Sequence, residues 1–339
     1  MVNMTPHLGI KKTIIFSLIP LLFFFSVTEL ILRFSGFHYY QNWTYDDPRW
    51  ERDPYLIYKL KPNFVSEDGS VRINSLGFRG NEFPLKKDSM TTRIVCMGDS
   101  CTFGFDIKWT SYPNELQQIL NSYSPYKKYE VINAGIPDYS SYQGLKFLEK
   151  RVLELEPDVI VISYGWNDIR TTHQLPDKYQ KVNIYVYYID KLLNKLRNYQ
   201  ALNKAITSFK GTLTRKENIE VKSVRRVSPS DFKTNLESMI KLAGTRGIKV
   251  YMLNQPSGET KEQIHGYLEN FLTDRILYNE IMRNVSDKLQ VPLIDVVKLF
   301  NEKKYEKLFD NPQKDLIHPN LLGEKLIANE IAKSILNSK

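Results

Sequence analysis

The chain has 339 residues, of which 42% are hydrophobic and 25% are charged, enough for one large domain with additions. Its two cysteines exclude a structural disulfide framework. The net charge of +9 would suit lipid headgroups, acidic polysaccharide or nucleic acid, but a solvated basic face is favoured over any of these specific partners. The chain shows no zinc-finger spacing, RNP-like motif or basic–aromatic ladder, so we expect no nucleic-acid partner.

Thr13–Phe34 is an apolar run about long enough to span a bilayer. Lys11 and Lys12 precede it, and no A-x-A-like cleavage site follows, so an uncleaved signal anchor fits better than a cleaved signal peptide. A buried helix of a soluble protein is the weaker alternative, because Phe and Leu occupy all its faces. The positive-inside rule then keeps residues 1–12 cytoplasmic and predicts a single-pass protein whose remaining chain is periplasmic or on the cell surface.

Residues 35–92 are rich in Tyr, Pro, Asp and Asn and lack helical periodicity. Tyr55–Pro62 and Ser70–Gly80 have the pattern of short strands and turns. We expect an extended lead-in that packs against the main domain, and a small separate β-element is the alternative.

Residues 93–339 alternate apolar strand patterns with helical ones. The predicted strands are Arg93–Met97, Tyr129–Asn133, Val159–Ser163, Lys249–Leu253 and Leu293–Val296. The predicted helices are Pro113–Tyr123, Ser141–Glu154, Asp231–Ala243, Lys261–Leu289 and Leu321–Leu336. This alternation predicts an α/β domain with a parallel sheet of five strands covered by helices on both faces.

A segment of about residues 170–230 interrupts the alternation. Tyr185–Phe209 is predicted to be helical, and Gly211–Ser228 is polar and basic. Within this segment Lys178–Arg226 carries much of the excess positive charge. The sequence predicts an inserted lid or cap.

The first strand of the alternation ends at Gly98-Asp99-Ser100, just before a helix. In α/β enzymes such a turn raises a serine hydroxyl above the carboxyl edge of the sheet, next to the N–H groups that begin the helix. A serine nucleophile also needs a base, an acid that orients the base, and hydrogen-bond donors for the oxyanion. Cys96 and Cys101 flank the turn and are predicted to pack there without a bridge.

The candidate bases are the histidines at positions 7, 38, 173, 265 and 318. His318 lies in Lys314–Gly323, after the last predicted strand and just before the last helix. Asp315 precedes it by three residues, a spacing that lets a carboxylate in a turn accept the Nδ1–H of the imidazole. Nε2 of His318 then faces Ser100. Asp-x-x-His alone is a weak pattern, and its position in the fold gives it weight.

Two further turns follow neighbouring strands. Gly135 ends Asn133-Ala134-Gly135 and can offer a backbone N–H, and Asn167 can offer its side-chain amide. With the N–H of Ser100 they would form an oxyanion hole in which each donor lowers the barrier by about 3 kcal/mol. Taken singly, each residue is better explained by the needs of a tight turn, and only the four ordered signals at strand ends together favour an active site.

Four blocks of this chain, in order, resemble those of the SGNH, or GDSL, hydrolase family. They are GDSCTFG (Gly98–Gly104), NAG (Asn133–Gly135), GWND (Gly165–Asp168) and DLIHPN (Asp315–Asn320). NSLGFRG (Asn74–Gly80) also resembles a segment of membrane-anchored bacterial members.

The resemblance implies a flavodoxin-like three-layer α/β/α sandwich that hydrolyses esters through an acyl-enzyme. It implies Ser100 as nucleophile, His318 as base and Asp315 as its orienting acid, with Ser100, Gly135 and Asn167 in the oxyanion hole. No cofactor and no metal are expected.

Four other residues of the blocks are expected to support the site: Gly98, Asp99, Gly104 and Gly165. Asp99 is predicted to hold the turn as an Asx-turn or N-cap and not to act as the triad acid. Trp166 is expected to line the pocket or simply to pack.

The leading hypothesis is a membrane-anchored esterase outside the cytoplasm that removes short acyl groups, such as acetyl, from a cell-envelope glycan or related ester. Alternatives are an O-acyltransferase that modifies a polysaccharide, and a lipase or lysophospholipase. A non-enzymatic scaffold is disfavoured because all the catalytic positions are filled. The bilayer is the expected partner of the N-terminal helix, and the oligomeric state is open.

Overall fold

The computed structural model describes residues 10–39, 48–104, 110–123, 127–172, 175–216, 224–258, 267–303, 307–310 and 315–337. The chain forms two compact units. One unit comprises Met1–Pro48 and Asn183–Glu220, and the other comprises Arg49–Val182 and Val221–Lys339.

In the part of the chain described, the helices and strands have the following bounds. The helices are α1 (Ile10–Phe34), α2 (Ser100–Phe103), α3 (Tyr112–Tyr123), α4 (Ser141–Lys150), α5 (Ile184–Leu193), α6 (Arg197–Lys216), α7 (Pro229–Gly244), α8 (Tyr267–Leu289), α9 (Val296–Glu302) and α10 (Leu321–Asn337). The strands are β1 (Trp50–Asp53), β2 (Ile57–Leu60), β3 (Thr91–Gly98), β4 (Lys128–Gly135), β5 (Val159–Ser163), β6 (Thr171–Thr172), β7 (Val224–Arg225), β8 (Lys249–Leu253) and β9 (Leu293–Ile294).

The larger unit is built on a parallel sheet of five strands in the order β4-β3-β5-β8-β9. The chain enters the sheet at β3, pairs β4 on one side, and then continues from β5 to β9 on the other. The strand order therefore reverses beside β3, and ligands of doubly wound sheets bind at such a switch point. The predicted parallel α/β sheet is confirmed.

Successive side chains of β3 pack in two separate hydrophobic clusters, one on each face of the sheet. Val95 and Met97 pack in a cluster with residues of α4, α7 and α8. Ile94 and Cys96 point to the opposite face and pack with α3, α9 and α10. All four side chains are fully buried, as expected for a central strand covered on both faces. The two clusters give the predicted three layers.

Two predicted elements of the larger unit end before their predicted last residues, and a third is described only in part. The last strand ends at Ile294 and not at Val296, because the Asp295 side chain accepts the N–H of Lys298 and caps α9. The helix predicted over Ser141–Glu154 ends at Lys150, and a 3₁₀ turn follows. The helix predicted from Lys261 is seen from Tyr267, since residues 259–266 lie outside the described part of the chain.

Much of the predicted lead-in belongs to the larger unit. β1 and β2 form an antiparallel hairpin, and isolated bridges join Ile73 to Arg79 and Arg79 to Asn133 of β4. Trp50 and Phe78 are buried in the same core cluster as Val95. The unit boundary falls at Pro48, inside the segment predicted to run from 35 to 92.

The smaller unit contains α1, α5 and α6. Phe16–Phe34 of α1 is long and apolar enough to cross a membrane, with a mean hydropathy of 1.8, and none of this stretch is buried in the protein. The helix predicted over Tyr185–Phe209 is two helices, and α6 continues to Lys216. Residues 183–220 thus group with α1, and their predicted action as a lid stays a prediction.

Candidate active site

The turn between β3 and α2 presents Ser100 as the first residue of a very short helix. Asp99 is completely buried, and its side chain caps α2 by accepting the N–H of Cys101 at 3.0 Å, as predicted. The N–H of Ser100 has no acceptor within a helix that begins at this residue. Gly104 ends α2 with a φ of 79°, a left-handed conformation that favours glycine.

Gly98 allows the backbone before Ser100 to pass close to α2. A Cβ atom at this position would lie 2.0 Å from Oγ1 of Thr102 and 2.7 Å from the carbonyl oxygen of Ser163. Thr102 is held in turn by a hydrogen bond of 3.1 Å between its hydroxyl and that of Tyr112. Only glycine fits at position 98 without a shift of the turn.

Ser100, His318 and Asp315 form a continuous hydrogen-bonded chain. Nε2 of His318 lies 2.8 Å from Oγ of Ser100, and Nδ1 of the same ring lies 2.7 Å from Oδ2 of Asp315. The contact between His318 and Ser100 joins residues 218 positions apart in the sequence. Such a chain is the geometry that activates a serine hydroxyl for attack on a carbonyl carbon.

The other carboxylate oxygen of Asp315 shapes the loop that carries the histidine. Oδ1 accepts the backbone N–H groups of Ile317 at 2.8 Å and His318 at 3.1 Å. Asp315 therefore orients the imidazole in two ways, through its ring nitrogen and through its backbone.

The N–H of Gly135 is hydrogen-bonded within its own turn. Its amide donates to Oδ1 of Asn133 at 3.0 Å, and a Cβ atom would lie 2.3 Å from the backbone nitrogen of Phe103. The glycine is needed for the packing of β4 against α2. The role of the Gly135 N–H as an oxyanion donor, beside Ser100 and Asn167, stays a prediction.

Asn167 is buried in the turn after β5, and its Nδ2 donates to the carbonyl of Tyr139 at 3.1 Å. An amide nitrogen carries two hydrogens, so a second donor position is left at Nδ2. The next residue, Asp168, is completely buried and accepts the N–H and hydroxyl of Ser141 at the start of α4. Burial raises the pKa of Asp168 to about 7.

Gln255 was missed by the sequence analysis and joins the turns that carry Ser100 and Asn167. Its Nε2 donates to both carboxylate oxygens of Asp99 at 3.0 Å, and its Oε1 accepts the N–H of Trp166 at 3.1 Å. Burial raises the pKa of Asp99, and the Gln255 bonds oppose that effect. The only sequence signal was its place just after the strand Lys249–Leu253.

Replacing Gln255 with Leu should lower both stability and turnover. The substitution leaves two buried groups, the Asp99 carboxylate and the Trp166 N–H, without this partner, at a cost of about 1–3 kcal/mol in unfolding free energy. We expect kcat to fall because both turns lose their common support. Denaturant unfolding and ester hydrolysis measure the two effects.

Asn254→Leu is the matched control for Gln255→Leu. Asn254 is equally buried but binds Asp295 at 2.7 Å and the N–H of Val297 at 3.1 Å, away from both turns. It should lose stability and keep its kcat. Equal kcat losses in the two variants would show that Gln255 acts only through general stability.

Arg79, from the NSLGFRG segment, supports the far end of α2. Its Nη1 donates to the carbonyls of Phe103 and Gly104, the latter at 2.7 Å. Its guanidinium lies 4.6 Å from the centre of the Phe103 ring. Burial lowers the pKa of Arg79 to about 10 and raises that of Glu324, which attracts it, to about 8. The lead-in thus forms part of the framework of the nucleophile turn.

Three side chains near Ser100 are part of the packing. Cys96 and Cys101 are free, and burial raises the pKa of both thiols, which disfavours the reactive thiolate. Trp166 is buried and stacks on Phe271 with ring centres 5.5 Å apart. Of the two roles predicted for Trp166, the structure shows packing.

Comparison with known proteins identifies the family. The profile of the GDSL-like lipase/acylhydrolase family matches residues 96–326, which span the site from β3 into α10. The chain belongs to this family. It is therefore an ester hydrolase, as its four sequence blocks predicted. No curated protein sequence matches the chain.

Several solved structures of this kind of protein are similar to the chain. A lipase/acylhydrolase from Enterococcus faecalis is 21% identical with a TM-score of 0.49, over 72% of this chain and 94% of its own. An acetylxylan esterase from Geobacillus stearothermophilus is 16% identical with a TM-score of 0.49, over the same shares of the two chains, 72% and 94%.

Proposed function

We propose that this GDSL-like acylhydrolase uses Ser100, His318 and Asp315 as a catalytic triad. The hydrogen bond of 2.8 Å between His318 and Ser100 carries the proposal, because it gives the hydroxyl a base in contact. Oγ of Ser100 attacks the ester carbonyl carbon as its proton passes to Nε2 of His318. The Asp315 carboxylate stabilises the imidazolium that forms.

The first half of the reaction ends in an acyl-enzyme. When the tetrahedral intermediate collapses, the bond between the carbonyl carbon and the alcohol oxygen breaks, and His318 returns its proton to the leaving alcohol. Water then attacks the ester of Ser100, again with His318 as base, and releases the carboxylic acid. The N–H groups of Ser100 and Gly135 and Nδ2 of Asn167 are the proposed donors to the oxyanion in both halves.

We propose that α1 anchors the enzyme and that its substrate lies outside the cytoplasm. Phe16–Phe34 has the length and hydropathy of a membrane span, and Lys11 and Lys12 before it favour a cytoplasmic N-terminus. No cleavage site of the usual kind follows the helix. An envelope glycan that carries short acyl esters, such as acetyl, is the substrate class that fits this location.

A panel of esters with the full-length protein in detergent micelles tests the substrate class. We expect p-nitrophenyl acetate to be cleaved faster than the butyrate and octanoate esters, and acetylated glycans to release acetate. Faster cleavage of the octanoate ester would replace this proposal with a lipase. Acetyl transfer to an added glycan without release of acetate would replace it with an O-acyltransferase. Ser100→Ala is the blank in every assay.

A further inference from the structure

Helix α5 exposes its apolar side chains. Five of them are at least 59% exposed, namely Tyr185, Val186, Tyr188, Ile189 and Leu192. Positions 185, 188, 189 and 192 are separated by three or four residues, so they form one stripe along the helix. A contiguous apolar surface of this kind marks a contact with another protein or with a membrane.

Helix α6 has the same character. Leu202, Ile206 and Phe209 are spaced by four and three residues and are 55%, 43% and 66% exposed. The polar Gln200 is completely buried, where it accepts the N–H of Tyr39 at 3.0 Å. Lys204 and Thr207 are exposed beside these side chains, so the exposed surface of α6 combines apolar, polar and cationic groups, as in helices that lie at a membrane interface.

The start of α6 is fixed to the final turns of α1. The Glu29 carboxylate accepts the N–H groups of Arg197 at 3.0 Å and Asn198 at 2.9 Å. The Asn198 side chain donates to the carbonyl of Phe25 at 2.7 Å. Phe25 lies about 13 Å before the end of α1 at Phe34, measured along the helix axis. If Phe16–Phe34 crosses a bilayer, Phe25 is the middle residue of the span and Glu29 lies between it and the end, so the start of α6 lies within one leaflet of the bilayer.

The charge of this segment suits the same location. Residues 184–216 contain seven Lys or Arg residues and a single acidic residue, Asp190. Helices that combine exposed aromatic and aliphatic side chains with an excess of cations bind the interface of membranes that contain anionic lipids.

We propose that α5 and α6 lie in the bilayer interface as a second membrane-binding element, with their apolar stripes in the acyl region and their cations among anionic headgroups. The occupant of this surface is the lipid that surrounds α1, so the inference depends on the proposed membrane anchor. The insert would then hold the enzyme at the membrane surface, in addition to the single span.

Tryptophan quenching by brominated lipids tests the location. The full chain is reconstituted in vesicles of phosphatidylcholine and phosphatidylglycerol, with and without brominated acyl chains. Tyr188→Trp reports on α5, Leu22→Trp on α1, and Tyr123→Trp, on an exposed side chain of α3, is the matched control. The unsubstituted chain gives the emission of the native tryptophans, and retained ester hydrolysis verifies that each variant is folded.

We expect brominated lipid to remove most of the added emission of Tyr188→Trp and Leu22→Trp, and little of that of Tyr123→Trp. If Leu22→Trp is quenched and Tyr188→Trp is quenched only by aqueous acrylamide, the insert does not bind lipid, while the anchor stands. If Tyr188→Trp is protected from both quenchers, a protein contact covers it and the inference is wrong. If brominated lipid quenches neither variant, the proposed anchor itself fails.

Discussion

Ser100→Ala should reduce ester hydrolysis on the order of 10⁴–10⁶-fold in kcat, with the fold retained. The variant removes the only atom proposed to form a bond with the acyl group. Alanine fits the first position of α2, because the capping contact of this turn comes from Asp99 and not from Ser100. The measurement is the release of p-nitrophenol from its acetate ester by the full-length variant.

His318→Ala and the double variant complete this test. A base and a nucleophile that act as one unit give losses that do not add, so the double variant should be about as slow as either single variant. Multiplied losses would show that His318 acts on some other step. Activity near that of the unsubstituted enzyme in Ser100→Ala would refute the proposed nucleophile.

Asp315→Asn should lower kcat about 10⁴-fold while leaving the loop in place. Asparagine keeps an oxygen that can accept the N–H groups of Ile317 and His318, which Oδ1 of Asp315 accepts now. It loses the negative charge that stabilises the imidazolium, and its amide group favours the wrong tautomer of His318. KM should change little, because Asp315 is not proposed to touch the substrate.

Asp315→Ala separates the two roles of this carboxylate. It removes the charge and the loop contacts together, so its loss of kcat should equal or exceed that of Asp315→Asn, with a lower unfolding temperature. A triad acid requires both variants to be slow. An active Asp315→Asn with a slow Asp315→Ala would show that Asp315 only shapes the loop.

The features of this site that could be predicted are those for which the residue type and its position in the fold are enough to assign a role. Ser100 lies in the turn that follows a buried strand and Gly98, and Asp315 and His318 lie in one short loop. The chemical roles of these three residues could therefore be predicted from the sequence. The apolar strand runs likewise predicted the parallel sheet, because only a strand covered on both faces lacks polar alternation.

The features of the site that could not be predicted depend on side-chain conformation. The side chain of Asn133 accepts the N–H of Gly135, two residues later, and Gln255 contacts both Asp99 and Trp166. Each contact depends on the side-chain rotamer that packing in the folded core selects. The residue type alone does not predict that rotamer. The break between α5 and α6 could not be predicted either, because the helical sequence pattern continues through it.

Labelling with a fluorophosphonate probe tests the central claim, that Ser100 is a nucleophile activated by His318. The full-length enzyme is treated with the probe, and the site of the adduct is mapped by mass spectrometry. We expect one adduct, on Ser100, that forms much more slowly in His318→Ala and not at all in Ser100→Ala. A folded, ester-cleaving protein that stays unlabelled at Ser100, or carries its adduct on another residue, would contradict this account.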